Sequence, residues 1–243
     1  MEFINLTPEN LAEEHLCCII RSKKPHPGVE AKRTWLAERL NEGHVFRKLH
    51  EKAVVFIEYA PLETAWVPIL GDNYLYLYCL WVSGSHKGKG YGRMLMEYCL
   101  QDARERGKSG VCMLGADKQK AWLSDQAFAQ KFGFETVDAT EYGYQLLACS
   151  LDGTVPRFSP AAKRGEIDGQ ELTVYYDFQC PYQLDSFPGD QPDRAAGTPG
   201  GIFGPEFDRI NSGAAVSKVG EPCKYKSTGN SFSFVARRYS YQL

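Results

Sequence analysis

At 243 residues the chain has room for one large domain, or for one domain and a smaller companion. Its composition, 43% hydrophobic and 24% charged, is that of a soluble globular protein with a sizeable core. A formal charge of −2 excludes a general pull toward nucleic acid or an anionic membrane, so any anion site has to be local. Along the chain, Thr7-Pro8-Glu9 predicts a helix start, with Leu11, His15 and Ile19 following at helical spacing. A second helix is expected from Val29 to Leu40, with Trp35, Leu36 and Leu40 on its apolar side and "NEG" ending it. The runs "AVVFIEYAP", "TAWVPIL" and "YLYLYCLWV", bounded by Pro, Gly, Asp and Asn, read as three successive strands.

A loop rich in glycine and lysine follows the last of these runs. Next comes a helix from about Tyr91 to Arg106, whose apolar stripe is Met94, Leu95, Tyr98, Cys99 and Ala103. "SGVCMLGAD" is a further strand, "AWLSDQAFAQKFGF" a helix ended by Gly133, and "YGYQLLACSL" another strand. This alternation predicts an α/β domain over residues 1–151. Residues 152–169 are polar with two prolines and read as a linker. In the remainder, 170–243, "QELTVYYDFQCPYQL" is a strand running into a turn. Eight of the seventeen residues from Pro188 to Gly204 are Gly or Pro, so the chain after about 187 is expected to be irregular or disordered.

Several chemistries are absent from the pattern. The eight cysteines (Cys17, Cys18, Cys79, Cys99, Cys112, Cys149, Cys180 and Cys223) form no C-x-x-C pair, so neither a zinc site nor a disulfide framework is signalled. The acidic amino terminus lacks a signal-peptide pattern, and no apolar run reaches the length of a membrane span. A cytoplasmic protein, binding neither nucleic acid nor membrane, is expected.

The loop carries the strongest chemical signal. Peptide N–H groups at a helix start lack internal partners and carry partial positive charge. Gly88, Gly90 and Gly92 let a bulky anion approach the backbone, and Lys87, Lys89 and Arg93 add charge beside it. The P-loop pattern fails for want of spacing and hydroxyl, and the dinucleotide fingerprint fails because Arg93 stands where its third glycine belongs. "KGKGYG" instead meets the pattern R/Q-x-x-G-x-G/A, with Lys87 in the lead position.

That pattern belongs to the GNAT superfamily of acyl-CoA-dependent N-acyltransferases, which this chain resembles over roughly Met1 to Leu151 in motif, element order and the segment "AFAQKFGF". The resemblance implies a mixed sheet flanked by helices and direct transfer of an acetyl or other short acyl group from acyl-CoA to a small-molecule or protein amine. It implies that backbone groups of Lys87, Gly88, Lys89, Gly90, Tyr91, Gly92 and Arg93 hold the diphosphate of acetyl-CoA. By the same carry-over, the Val82 N–H polarises the thioester carbonyl. A metal is not implied. The family's leaving-group acid, often a Tyr, is replaced here by Ala129, and an Asn found in many relatives is replaced by Trp122. Tyr142, Tyr144 or solvent are the substitutes.

Glu58 is the leading acidic candidate for the base, because an apolar strand raises a carboxyl pKa. As the polar member of an alternating strand it has the alternative of facing solvent, which the pattern favours. Cys79 reads as a core residue, His86 as a group facing phosphate or water, and His15, Cys17 and Cys18 as a helix face. "TVYYDFQCPYQ" resembles the strand–Cys-Pro start of thioredoxin-like proteins, and in particular the YoaP-like extension that follows some GNAT domains. Gln183 replaces the second cysteine of C-x-x-C, so Cys180 is read as a vestige. Two rival readings remain: a non-catalytic acyl-CoA sensor and a thiol factor centred on Cys180.

Overall fold

Alternation of β-branched and aromatic residues in the middle of the chain builds the central sheet of the computed structural model, which describes residues 2–19, 26–120, 123–164, 172–176, 178–181, 215–218 and 235–237. In chain order its elements are β1 (Phe3–Asn5), α1 (Pro27–Arg39), β2 (Val45–Leu49), β3 (Val55–Pro61), β4 (Ile69–Leu70), β5 (Tyr74–Val82) and α2 (Tyr91–Glu105). They continue with β6 (Gly110–Ala116), α3 (Gln126–Gln130), β7 (Glu135–Ala139), β8 (Tyr144–Ser150), β9 (Arg157–Phe158), α4 (Pro160–Arg164), β10 (Leu172–Tyr176), β11 (Ala215–Lys218) and β12 (Val235–Arg237). Seven strands form one mixed sheet in the order β1-β2-β3-β5-β6-β8-β7, the expected α/β architecture.

Within this sheet only β5 and β6 run parallel, and α2 makes the crossover between them. Their pairing lasts from Tyr74↔Gly110 to Leu77↔Met113. Past that point β5 continues to Val82 and β6 to Ala116 without pairing each other, so the strands part. A register shift marks the same place: Glu58 faces Cys79 while Tyr59 faces Leu77, leaving Tyr78 as the extra residue of a bulge.

The two faces of the sheet have separate cores. Val55, Ile57, Tyr59, Leu75 and Leu77 pack with Leu95, Met96 and Cys99 of α2. On the other face Phe46 and Phe56 stack at 4.7 Å and pack with Trp35 and Leu36 of α1. Tyr59 ties β3 to α2, its hydroxyl donating to Asp102 Oδ2 at 2.8 Å. Replacing Tyr59 with Phe leaves that largely buried carboxylate one donor short. We expect a loss of about 2 kcal/mol, read as a lower urea midpoint at unchanged slope.

Tertiary contacts override local signals in several places. Residues 7–19 form turns rather than the expected helix. The Asn10 side chain accepts from the Thr7 N–H, and the Arg33 guanidinium holds the carbonyls of Leu11 and Glu14, pinning the segment in a non-helical path. The run "TAWVPIL" follows directly on a 3₁₀ turn at Leu62–Thr64 and gives only a two-residue strand, Ile69–Leu70, with Trp66 at a positive φ of 53° interrupting it. β1, β2 and β7 lie where the sequence signals no strand. In β2 the basic residues disguise one: Lys48 is buried against Glu14 at 2.6 Å, and Arg47 lies over the Tyr98 ring. On α2 the buried stripe is Leu95, Met96, Cys99, Leu100 and Ala103, while Met94 is exposed.

Between 157 and 164, in the segment expected as a linker, β9 pairs with β4, and Phe158 and Ala162 are buried against Tyr74 and Leu114. After 187, β11 and β12 each pair antiparallel with β10. No described helix is long and apolar enough to cross a membrane.

Candidate active site

Three features converge around the place where β5 and β6 separate. The first is the loop leaving β5. A 3₁₀ turn over Gly84–His86 leads into Lys87–Gly90, all four of which are exposed. Gly88 and Gly90 have φ of 77° and 82°, a region that favours glycine, and a Cβ built at either meets nothing within 4 Å. Gly90 is the N-cap of α2 and, as a glycine, offers no side-chain acceptor to the first turn of the helix. Arg93 stands on the first turn, two-thirds exposed, 3.6 Å from Glu97. The Tyr91 ring, by contrast, is buried against Phe3 and beside His86, so only its backbone faces the loop. His86 lies 3.9 Å from Glu51.

The second feature is the gap itself. The Ser83 N–H donates to Val54 O on the β3 side, whereas the Leu80 N–H donates to Ser124 Oγ at 3.2 Å on the other. Strand amides alternate sides, so the Val82 N–H is directed to the same side as that of Leu80, toward the opening. Trp122 lies outside the described residues. Ala129 is fully buried in α3, Tyr142 is largely exposed, and Lys120 sits over the Tyr144 ring.

The third feature corrects the expectation for Glu58. It does not face solvent: its side chain is fully buried on the α1 face of the sheet. Three donors surround it. Lys32 Nζ lies 2.6 Å and Gln179 Nε2 2.8 Å from Oε2, and His44 Nε2 lies 3.0 Å from Oε1. The expected rise in pKa is also reversed. Burial pushes the Glu58 carboxyl up, but the Lys32 charge and the His44 hydrogen bond outweigh it, and the group is held below its ordinary value. Burial likewise opposes the charge on Lys32, but Glu58 prevails and the ammonium is held above its ordinary value.

His44 goes the other way. Burial lowers its pKa more than Glu58 raises it, so the imidazole is neutral and its contact with Glu58 is a hydrogen bond rather than an ion pair. An ionised carboxylate has no proton to give, so His44 Nε2–H is the donor and Nδ1 the proton-accepting atom. The ring is fixed by Tyr78, stacked at 5.3 Å, and by Trp35, perpendicular at 5.2 Å.

Lys32, His44 and Gln179 escape a reading of the sequence alone. Lys32 carries a usable signal, since it stands three and four residues before Trp35 and Leu36 on the apolar side of a predicted helix. His44 shares the strand parity of the buried Phe46.

The thiols nearby are inert in character. Cys79 is the cross-strand neighbour of Glu58, and burial pushes its pKa well up, as befits a core residue. Cys17, pushed up to about 11 by burial, lies 4.0 Å from His15 in a turn, not on a helix. Among the described residues no three His, Cys, Asp or Glu side chains are grouped so as to hold a metal. Cys180 is buried, one residue beyond Gln179, and Gln183 lies outside the described residues.

Comparison with known proteins identifies the framework. Residues 9–134 match the profile of the Acetyltransferase (GNAT) family. A Bacillus subtilis (strain 168) protein named as an uncharacterized N-acetyltransferase, YoaP, is 38% identical over 186 residues, covering 76% of this chain and 74% of that one. Among solved structures, the ribosomal-protein-alanine N-acetyltransferase of Brucella melitensis is 19% identical with a TM-score of 0.43, over 62% of this chain and all of that one. PaiA N-acetyltransferase of Thermoplasma acidophilum, solved with coenzyme A, is 14% identical with a TM-score of 0.43, over 62% and 99% of the two chains.

Proposed function

The chain belongs to the acetyltransferase (GNAT) family, and from that membership we propose that it moves an acetyl or other short acyl group from acyl-CoA to an amine, small-molecule or protein. One observation carries the assignment of the donor site: two positive-φ glycines deliver the uncapped start of α2 to the mouth of the gap between β5 and β6. The open space over Gly88 and Gly90 fits a bulky diphosphate against the backbone of residues 88–93, with the side chains of Lys87, Lys89 and Arg93 balancing its charge, while the Lys87 N–H already donates to Gly84 O. Acetyl-CoA supplies the thioester. The Val82 N–H, directed to the opening, polarises the carbonyl oxygen.

The proton of the attacking amine needs an acceptor. Glu58 carries three donors and is held ionised, which makes it a weak base and a firm anchor. In this reading it fixes His44 with Nε2–H inward, and the neutral His44 accepts the amine proton at Nδ1, directly or through water. Ala129 offers no acid to the leaving thiolate, so solvent protonates it.

The test is incubation with acetyl-CoA and a panel of amines, with chromatographic measurement of released coenzyme A. We expect release that depends on one class of amine and falls by at least about a hundredfold in His44→Ala. Saturable binding of acetyl-CoA with no release on any amine supports a sensor instead.

A further inference from the structure

The buried Glu58 cluster draws one of its donors from far along the chain. Gln179 lies 121 residues beyond Glu58, in the segment that resembles a thioredoxin-like start. Its amide reaches a carboxylate with no exposure of its own, and Gln179 is itself 8% exposed. A desolvated carboxylate is stabilised by every donor it gains, and Gln179 gives Oε2 a second donor beside Lys32.

Two further contacts fasten the same short stretch. Phe178 packs against the cluster of Trp35, Leu36, Phe46 and Phe56 on the α1 face. The Pro181 carbonyl comes so near the first turn of α1 that a Cβ on Gly28 would lie 2.2 Å from it. Cys180, between them, is 5% exposed.

We propose that residues 178–181 form a wall of the amine-acceptor side of the active site, with Gln179 as a positioning residue for the Glu58–His44 pair. The inference rests on the transferase reading above. Gln179 shares Oε2 with Lys32, which leaves Oε1 to His44. Its donation therefore helps decide which carboxylate oxygen the imidazole addresses, and with it where Nδ1 points. The donor loop lies beyond the end of β5 and supplies none of the three donors to Glu58. Acceptor selection thus belongs partly to the carboxyl-terminal segment, while binding of the nucleotide end of the cosubstrate does not.

Two variants of the full chain test this. Gln179→Ala removes the donor. Gly28→Val evicts the segment through its clash with Pro181. In both we expect the KM for the acceptor amine to rise about tenfold, with affinity for acetyl-CoA by calorimetry unchanged within about twofold. Alkylation of the native protein, followed peptide by peptide in a mass spectrometer, gives a readout independent of turnover. Cys180 should be modified at least about tenfold more slowly in the wild type than in urea, and Gly28→Val should abolish that protection. Alkylation of native wild-type Cys180 as fast as in urea overturns the proposal. So does an acceptor KM unchanged in both variants. Absence of turnover and of acetyl-CoA binding in the wild type instead defeats the transferase reading and the acceptor wall with it, and the alkylation rates then decide only whether 178–181 is docked.

Discussion

Gly90→Val should weaken binding of coenzyme A by about ten- to a hundredfold while leaving the fold intact. Gly90 has φ +82°, and a β-branched residue held there costs roughly 1–3 kcal/mol. No atom lies within 4 Å of the new Cβ, so packing does not resist the substitution and the penalty falls on the local turn. Relaxing that turn changes the path by which the loop enters α2 at its N-cap. The added methyls also occupy the space a phosphate would enter. Calorimetry with coenzyme A reads the effect directly. Gly153, another positive-φ glycine, is remote from the loop and open to solvent, and Gly153→Val is the control for strain alone. Equal affinity in wild type and Gly90→Val would remove the loop from the donor site.

Glu58→Ala should be the most destabilising single change in the α1 face, at about 3–5 kcal/mol, because it strands the Lys32 ammonium in a fully buried site. The pair itself is not the source of that figure. Replacing the ion pair, as Lys32→Met with Glu58→Leu, should recover only part of the loss in urea denaturation, because His44 and Gln179 still lose their acceptor, while acetyl transfer remains abolished. The same network sets a pH dependence. Glu58 is held below its ordinary 4.5, so its contribution is present above that pH and is lost as the pH falls through the folded value. His44 is held below 6.5, so below that pH the unfolded chain takes up a proton that the folded chain refuses, and stability again declines. Both signs agree. The wild type should lose stability from about pH 6.5 downward, more steeply than His44→Gln. A flat profile between about pH 7 and 5 would contradict the neutral buried imidazole.

The proposed donor side of the site is legible in the sequence because its signals are local. An aromatic, β-branched run, a burst of glycine and lysine, and a helical stripe lie end to end from Tyr74 to Glu105. The proposed acceptor side is not legible, because its meaning is assembled across the chain. Glu58 meets partners 26, 14 and 121 residues away, and nothing within its own strand distinguishes a buried, triply bonded carboxylate from a solvent-facing one. The departure at the amino terminus has the same origin. Thr7-Pro8-Glu9 carries a sound local capping signal, yet Arg33 takes the carbonyls that a helix would have used. In β2, Lys48 has the look of a solvent residue, and only the fold brings Glu14 beside it.

The sheet's one parallel step has a mechanical consequence. Four residue pairs hold β5 to β6, against seven between β3 and β5 and seven between β6 and β8. That seam is the weakest of the three central joins, and it divides β1-β2-β3-β5 from β6-β8-β7. An occupant of the cleft beyond Leu77 would touch both halves and restore the bridging that the strands forgo, so on the proposed reading the rigidity of the sheet should rise when the cosubstrate binds.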